Sequence, residues 1–149
     1  MENVRTRESV PIYVISDLHL GSADTRDAFA IWAKKRLLFD FLSAVERENA
    51  RIVVLGDLLD LWRFRLKHVV ASHGDILDRA HELNAIYIPG NHDLAVHVSS
   101  EKNRRLHPLL ENACGPIQIK HGERKITFMH GYEIYLLNCV INPTFCKVL

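Results

Sequence analysis

The stretch Ile52-Val53-Val54-Leu55-Gly56-Asp57-Leu58-Leu59-Asp60 decides how this chain is read. Four apolar residues stop at a glycine, and two carboxylates follow. A short apolar run without polar alternation is expected of a strand buried on both faces, as in a parallel sheet. The polar residues after it then lie beyond the carboxyl end of the strand, where open α/β sheets place their ligands. The pattern recurs on both sides. Val10 to Ile15 (VPIYVI) runs into Asp17-Leu18-His19, and Ala85 to Ile88 runs through Pro89-Gly90 into Asn91-His92-Asp93. Further on, Ile126-Thr127-Phe128-Met129 leads to His130-Gly131.

Between these runs the spacing turns helical. From about Thr25 to Glu48, Phe29, Trp32, Ala33, Leu37, Phe41, Leu42 and Val45 recur at three- and four-residue steps, which predicts a helix with those residues toward the core. Leu66 to Leu83 is a weaker helical stretch, interrupted near Ser72-His73-Gly74. Asn103 to Asn112 reads as a short helix broken or kinked at Pro108. Ile117-Gln118-Ile119 and Ile126-Thr127-Phe128 flank His121-Gly122-Glu123-Arg124, the pattern of a hairpin, with His121 near its turn. The order β-α-β-α-β, then a β-hairpin, predicts an α/β fold with a mainly parallel sheet and right-handed crossovers. Asp17 to Asp57 and Asp57 to Asn91 each span one strand-helix-strand unit, so all four polar clusters are expected to converge on one sheet edge.

The chain has 149 residues, the size of a single domain, and 48% of them are apolar, enough for a core. Its net charge of +1 gives no broad field to attract nucleic acid or an anionic membrane. Two basic runs, Arg63-Arg65-Lys67 and Lys102-Arg104-Arg105, are read as solvated helix faces rather than a DNA groove. Cys114, Cys139 and Cys146 are odd in number and form no C-x-x-C pair, which fits reduced thiols in a cytoplasmic protein. The polar start MENVRTRESVP lacks a secretory core, and no apolar run approaches the roughly 20 residues that span a bilayer. Of nine histidines, His68, His73, His81, His97 and His107 are expected at the surface. Trp62 and Phe64 are expected in the core, with an apolar substrate pocket as their other reading.

The clusters form a coherent donor set. Asp17 and His19, two apart, point to one side of an extended strand end. Asp57 can bridge two ions, Asn91 offers a neutral carbonyl oxygen, and His130 offers an imidazole nitrogen. Mixed O/N ligation suits Mn²⁺, Fe or Zn²⁺, with Mn²⁺ preferred here. Two divalent ions less two carboxylates and a bridging hydroxide leave about +1, a surplus that accepts an anionic phosphoryl oxygen. An aspartate at position 91 would cancel that surplus, so the amide is apt. Gly56 and Gly90 would let the backbone turn and approach closely. Each motif alone has an ordinary reading: a surface histidine beside a turn carboxylate, a helix N-cap at Asp57, a turn at Asn91 to Asp93. Their common place at strand ends is what argues for a metal site.

The series Asp17-x-His19, Gly56-Asp57-x-x-Asp60, Gly90-Asn91-His92-Asp93 and His130-Gly131 resembles the calcineurin-like metallophosphoesterases, over residues 10 to about 131. The resemblance implies an αββα sandwich, two divalent ions and hydrolysis of phosphomonoesters or phosphodiesters. By position it implies that Asp17, His19 and Asp57 hold one metal, and that Asp57, Asn91 and His130 hold the other. It makes His92 the acid-base and phosphate-contacting residue, oriented by Asp60, with a metal-bound hydroxide attacking phosphorus in line. Asn91 and His92 then face the substrate, a phosphate-ester small molecule or a nucleotide. Asp93 is left with the turn. The stretch ISDLHLG and Asp60-Leu61-Trp62 also look like the branch that cleaves the pyrophosphate of UDP-diacylglucosamine. That branch typically carries Arg where this chain has His92, so a general phosphoesterase is the preferred reading.

The family's further motif, G-H-x-H, is missing after His130, and Tyr132 stands where relatives often carry His or Asp. Residues 1–149 are therefore expected to be one domain, truncated within its C-terminal half. Two alternatives compete with truncation. A partner chain, as in a homo-oligomer, would complete the site, or the chain would be a non-catalytic or mononuclear metal- or phosphate-binding homologue. The apolar tail from Ile134 to Leu149 is expected to pack against something. Glu133 and His121 are the candidates for substitute ligands. A nuclease and a lipid A-type pyrophosphohydrolase are the remaining functional readings.

Overall fold

The structure is a computed structural model that describes residues 2–5, 10–27, 29–98 and 105–134. In chain order the elements are β1 (Glu2–Arg5), β2 (Ile12–Ile15), α1 (Trp32–Arg47), β3 (Arg51–Leu55), α2 (Leu66–Glu82), β4 (Ile86–Ile88), α3 (Leu94–Val98), α4 (Pro108–Glu111), β5 (Ile117–His121) and β6 (Arg124–Phe128). They make two three-stranded sheets, ordered β2-β3-β4 and β1-β5-β6. The first is wholly parallel, with Ile15 opposite Val54 and Leu55 opposite Ile88, so the strands finish level. In the second, β1 runs parallel to β5 and β6 returns antiparallel.

Side chains along β3 alternate between two cores, as the two-residue strand period requires. Ile52 and Val54, with Tyr87 of β4, pack on the α1 and α2 side with Leu38, Leu42, Val45, Val69, Ile76 and Leu77. Val53, with Ile88 of β4, packs on the other side with Ile117, Ile119 and Phe128 of the second sheet. Helices cover one face of the parallel sheet and a second sheet covers the other, so the described residues build three layers, α, β and β. This mixed α/β architecture is consistent with the αββα sandwich that the resemblance implies, of which the described residues supply the α, β and β layers.

Some elements differ from what the sequence predicts. Strand β1 lies in the polar terminus. It pairs with β5, more than a hundred positions away, and the polar-rich ENVR carries no apolar signal for it. Helix α1 starts at Trp32 rather than near Thr25, because Asp27 turns the preceding segment by accepting from the N–H groups of Ala23 and Phe29 at 2.8 Å each. Its apolar face is Leu38, Leu42 and Val45, while Trp32 and Leu37 are exposed. Strand β2 is only half-covered, with Val14 exposed. Helix α2 matches its reading and is kinked at His73, where φ is −128°. Pro108 begins α4, where its fixed φ helps, instead of breaking a longer helix. Arg105 and Leu106 form a turn before α4, while Asn103 of that expected helix and the tail from position 135 lie outside the described residues, as do Lys102 and Arg104. No helix among the described residues is long and apolar enough to cross a membrane.

Candidate metal centre

Beyond their paired strands, the ends of β2 and β3 continue side by side. Asp17 N–H donates to Gly56 O, His19 N–H to Asp57 O, and Leu20 N–H to Leu58 O, at 2.8 to 3.1 Å. Asp60 N–H answers by donating to Leu20 O at 3.0 Å. This ladder holds Asp17, His19 and Asp57 in left-handed backbone, with φ of 58°, 50° and 51°. Such conformations cost free energy in non-glycine residues and cluster at functional sites. The strained positions here are three of the expected metal ligands.

Their side chains converge with two histidines from other elements. His19 Nε2 lies 3.9 Å from Asp17 Oδ1 and 3.9 Å from Asp57 Oδ2, and His130 Nε2 lies 3.4 Å from Asp57 Oδ2. At 3.9 Å two atoms are not hydrogen-bonded. Donors each about 2.1 Å from a common ion do stand about 3 to 4 Å apart. Among the described residues two donor groups result, Asp17-Asp57-His130 and His19-Asp57-His92, with Asp57 common to both, a division that cuts across the two ligand sets the resemblance implies. His130 Nδ1 is 3.1 Å from Leu55 O, so its N–H is directed to that carbonyl and Nε2 presents its lone pair to Asp57. The chemistry of this set fits divalent cations: two carboxylates and imidazole nitrogens face one another with no cationic side chain among them.

Two glycines make the convergence possible. A Cβ on Gly56, where φ is 79°, would stand 1.9 Å from His130 Nδ1. A Cβ on Gly90 would stand 2.3 Å from Asp57 Oδ1. Asn91 follows directly, half-buried, in the turn that brings His92 N–H to Asp57 Oδ1 at 2.8 Å. Asp93 lies beneath. It is fully buried and accepts from Gly90 N–H at 2.6 Å, Leu59 N–H at 3.1 Å and Tyr87 O–H at 2.6 Å. Burial, reinforced by the charge of Asp57, pushes its carboxyl up despite those donors. The same burial, with Asp93 alongside, pushes the Tyr87 phenol well up. Asp93 thus ties the turn together, as its position suggested.

His92 is the most constrained ring of the group. Its Nδ1 faces Asp60 Oδ1 at 3.2 Å, Trp62 stacks on its face at 3.8 Å and 22°, and His19 meets it edge-on at 4.6 Å. Asp60 is wholly buried and takes a second partner on Oδ2, the Nε of Arg63. Burial works to raise the Asp60 carboxyl, but the hydrogen bonds and charges of His92 and Arg63 outweigh it and hold it below the usual carboxylate range.

The family model of the calcineurin-like phosphoesterases matches residues 10–144. The chain belongs to that family. Membership carries metal-dependent hydrolysis of phosphate esters as its general chemistry, and the two donor groups are possible places for the metal. No curated protein and no solved structure matches the chain.

For a calcineurin-like phosphoesterase, several residues hold places the sequence did not announce. Trp62 is exposed against His92 rather than in the core, whereas Phe64 is buried as expected. Arg63 is bound to a buried carboxylate rather than being a solvated cation. His73 and His107 are buried, not at the surface: His73 Nε2 is 2.7 Å from Asp27 Oδ2, and His107 caps α4 and meets Asp78 at 3.0 Å. Among the described residues, neither His121 nor Glu133 joins a donor group. His121 closes β5 at the hairpin turn, and Glu133 accepts from Gly131 N–H at 2.8 Å. Spacing in the sequence carries no signal for the contacts of Trp62 and Arg63.

Proposed function

We propose that this protein hydrolyses a phosphomonoester or phosphodiester at a centre of two divalent ions, with Mn²⁺ the preferred metal. Asp17, His19 and Asp57 would hold one ion, and Asp57, Asn91 and His130 would hold the other. Bound there, the ions would supply a nucleophile at neutral pH and neutralise phosphoryl charge. The P–O bond to the leaving group breaks, and the leaving oxygen needs a proton. His92 gives that proton from Nε2, while its Nδ1–H stays on Asp60. Asn91 and His92 face the phosphate. The substrate is a small phosphate ester or a nucleotide, and a reducing cytoplasm suits three cysteines that form no C-x-x-C pair.

One observation supports this reading above the rest. An imidazole with a buried carboxylate on Nδ1 lies within one of two donor groups that share Asp57. A pure binding protein has no need of an oriented proton donor. One observation favours a second reading. His92 is itself within reach of His19 and Asp57 as a donor, so it could ligate metal in a non-catalytic or mononuclear site.

The experiment is hydrolysis of bis-p-nitrophenyl phosphate with added Mn²⁺, with His92→Ala alongside and metal content measured in both. Mn²⁺-dependent turnover that falls about 10²-fold or more in the variant, at unchanged metal content, is the expected result. Metal lost together with activity would make His92 a ligand. Absence of turnover in the parent protein would sink the hydrolytic reading.

A further inference from the structure

We infer that Trp62 and Arg63 are positioning residues that hold the His92 ring at its working angle. The inference rests on the proposed role of His92 and extends it to two side chains outside the donor groups. Their contacts are specific. The Trp62 indole lies nearly parallel to the imidazole at 3.8 Å, and His19 closes the ring from its edge at 4.6 Å. An imidazole hydrogen-bonded only at Nδ1 can still rotate about that bond, and a stacked face removes the freedom. Arg63 acts one step back. Its Nε bonds Asp60 Oδ2, leaving Oδ1 for His92 Nδ1. Its Nη1 reaches Arg26 O at 3.5 Å, and its guanidinium lies 5.5 Å over the Phe64 ring. A buried carboxylate needs a charge partner to stay ionised and fixed, and Arg63 is the cation bound to it.

The placement is economical in the chain. Asp60, Trp62 and Arg63 occupy one turn after β3 and address His92 from two directions. Trp62 is 67% exposed, and 51% of the Arg63 side chain is exposed, so truncating either opens no core cavity. Neither belongs to a donor group. Their loss is therefore expected to change the geometry of proton transfer and to leave the metals in place.

Two readouts test the inference. The first is kinetic, with bis-p-nitrophenyl phosphate and Mn²⁺. Arg63→Ala and Trp62→Ala should each lower kcat about tenfold while KM stays within about twofold. Metal content should not change. Trp62→Phe and Arg63→Lys, which keep a ring and a charge, should retain most of kcat. Millimolar guanidinium should restore part of kcat to Arg63→Ala and none to Trp62→Ala. An unchanged kcat in both alanine variants overturns the inference, and so does a change confined to KM, which would make these residues substrate contacts.

The second readout needs no turnover. The chain has two tryptophans, so Trp32→Phe leaves Trp62 as the single emitter. A stacked imidazole quenches indole emission. Emission should rise on His92→Ala, and should rise in part on Arg63→Ala as the ring swings away. Emission that ignores both substitutions overturns the inference. If the parent protein hydrolyses nothing, the proposed function fails and emission alone decides: a rise in Arg63→Ala upholds the positioning of His92, and none refutes it.

Discussion

Asp57 divides its two carboxylate oxygens between tasks. Oδ1 accepts from His92 N–H and lies against Gly90, while Oδ2 faces His19 and His130. The residue types for this are plain in the sequence: an aspartate, two histidines and two glycines at strand ends. The backbone is less so. Aspartate and histidine both tolerate positive φ better than most residues, but tolerance alone does not announce φ of 50° at His19. That conformation exists because the loop ladder satisfies both neighbouring chains, a non-local cause. Gly56 gives the sharpest test. Alanine there would meet a left-handed φ, at a cost of about 1 to 2 kcal/mol, and would also press on the His130 ring. The ring would have to leave Leu55 O, losing the bond that aims Nε2. Gly56→Ala is expected to weaken Mn²⁺ binding by about 10- to 100-fold, measured by isothermal titration calorimetry, while the chain still melts cooperatively. Unchanged affinity would remove His130 from the ligand set.

The loop from Gly21 to Ile31 shows how one buried pair shapes the elements around it. Asp27 accepts from two backbone N–H groups of its own loop and from His73, at the kink of α2. Burial works to raise the Asp27 carboxyl, but His73 and the two N–H groups outweigh it and hold the carboxyl below its ordinary value. A depressed carboxyl contributes stability that is fully present above the unfolded value, near 4. That stability is lost as pH falls through the folded value. The urea midpoint should therefore drop between pH 5 and pH 3, and drop less in Asp27→Asn, which has nothing to protonate. Equal slopes would deny the pair any such role. At pH 7, His73→Ala leaves a buried carboxylate short of its partner and should cost about 3 kcal/mol. Sequence periodicity misses this pair because a histidine and an aspartate 46 positions apart carry no helical or strand signal. It finds β3 and β4, through the apolar runs Ile52-Val53-Val54-Leu55 and Ile86-Tyr87-Ile88, and the Gly122 hairpin, whose turn chemistry is local. It misses β1, whose strand partner is β5 far along the chain.

The two sheets and the metal centre are coupled through strand ends that finish level. Four segments deliver donors to one edge, and two of them, after β2 and β3, do so in strained backbone. Without cations, Asp17 and Asp57 face each other's charge, with buried Asp93 adding a third carboxyl beneath. Metal binding relieves that repulsion in the folded state only, because the unfolded chain scatters the donors along more than a hundred residues. At a free concentration 100 times the dissociation constant, linkage gives about 2.7 kcal/mol. For a domain of this size that is a rise in Tm of about 5 to 10 °C. Mn²⁺ should produce that rise, and EDTA should reverse it. Asp57→Asn, which keeps the shape of the side chain and removes its charge, should abolish the rise. Ile119→Ala separates this effect from general stability. Ile119 packs between the sheets, so its truncation should cost about 2 to 4 kcal/mol with or without metal, leaving the Mn²⁺ increment intact. Differential scanning calorimetry of the three proteins, each with Mn²⁺ and with EDTA, decides the matter. An increment that survives in Asp57→Asn would mean that the stabilising ion binds elsewhere, and the strand-end centre would lose its claim to it.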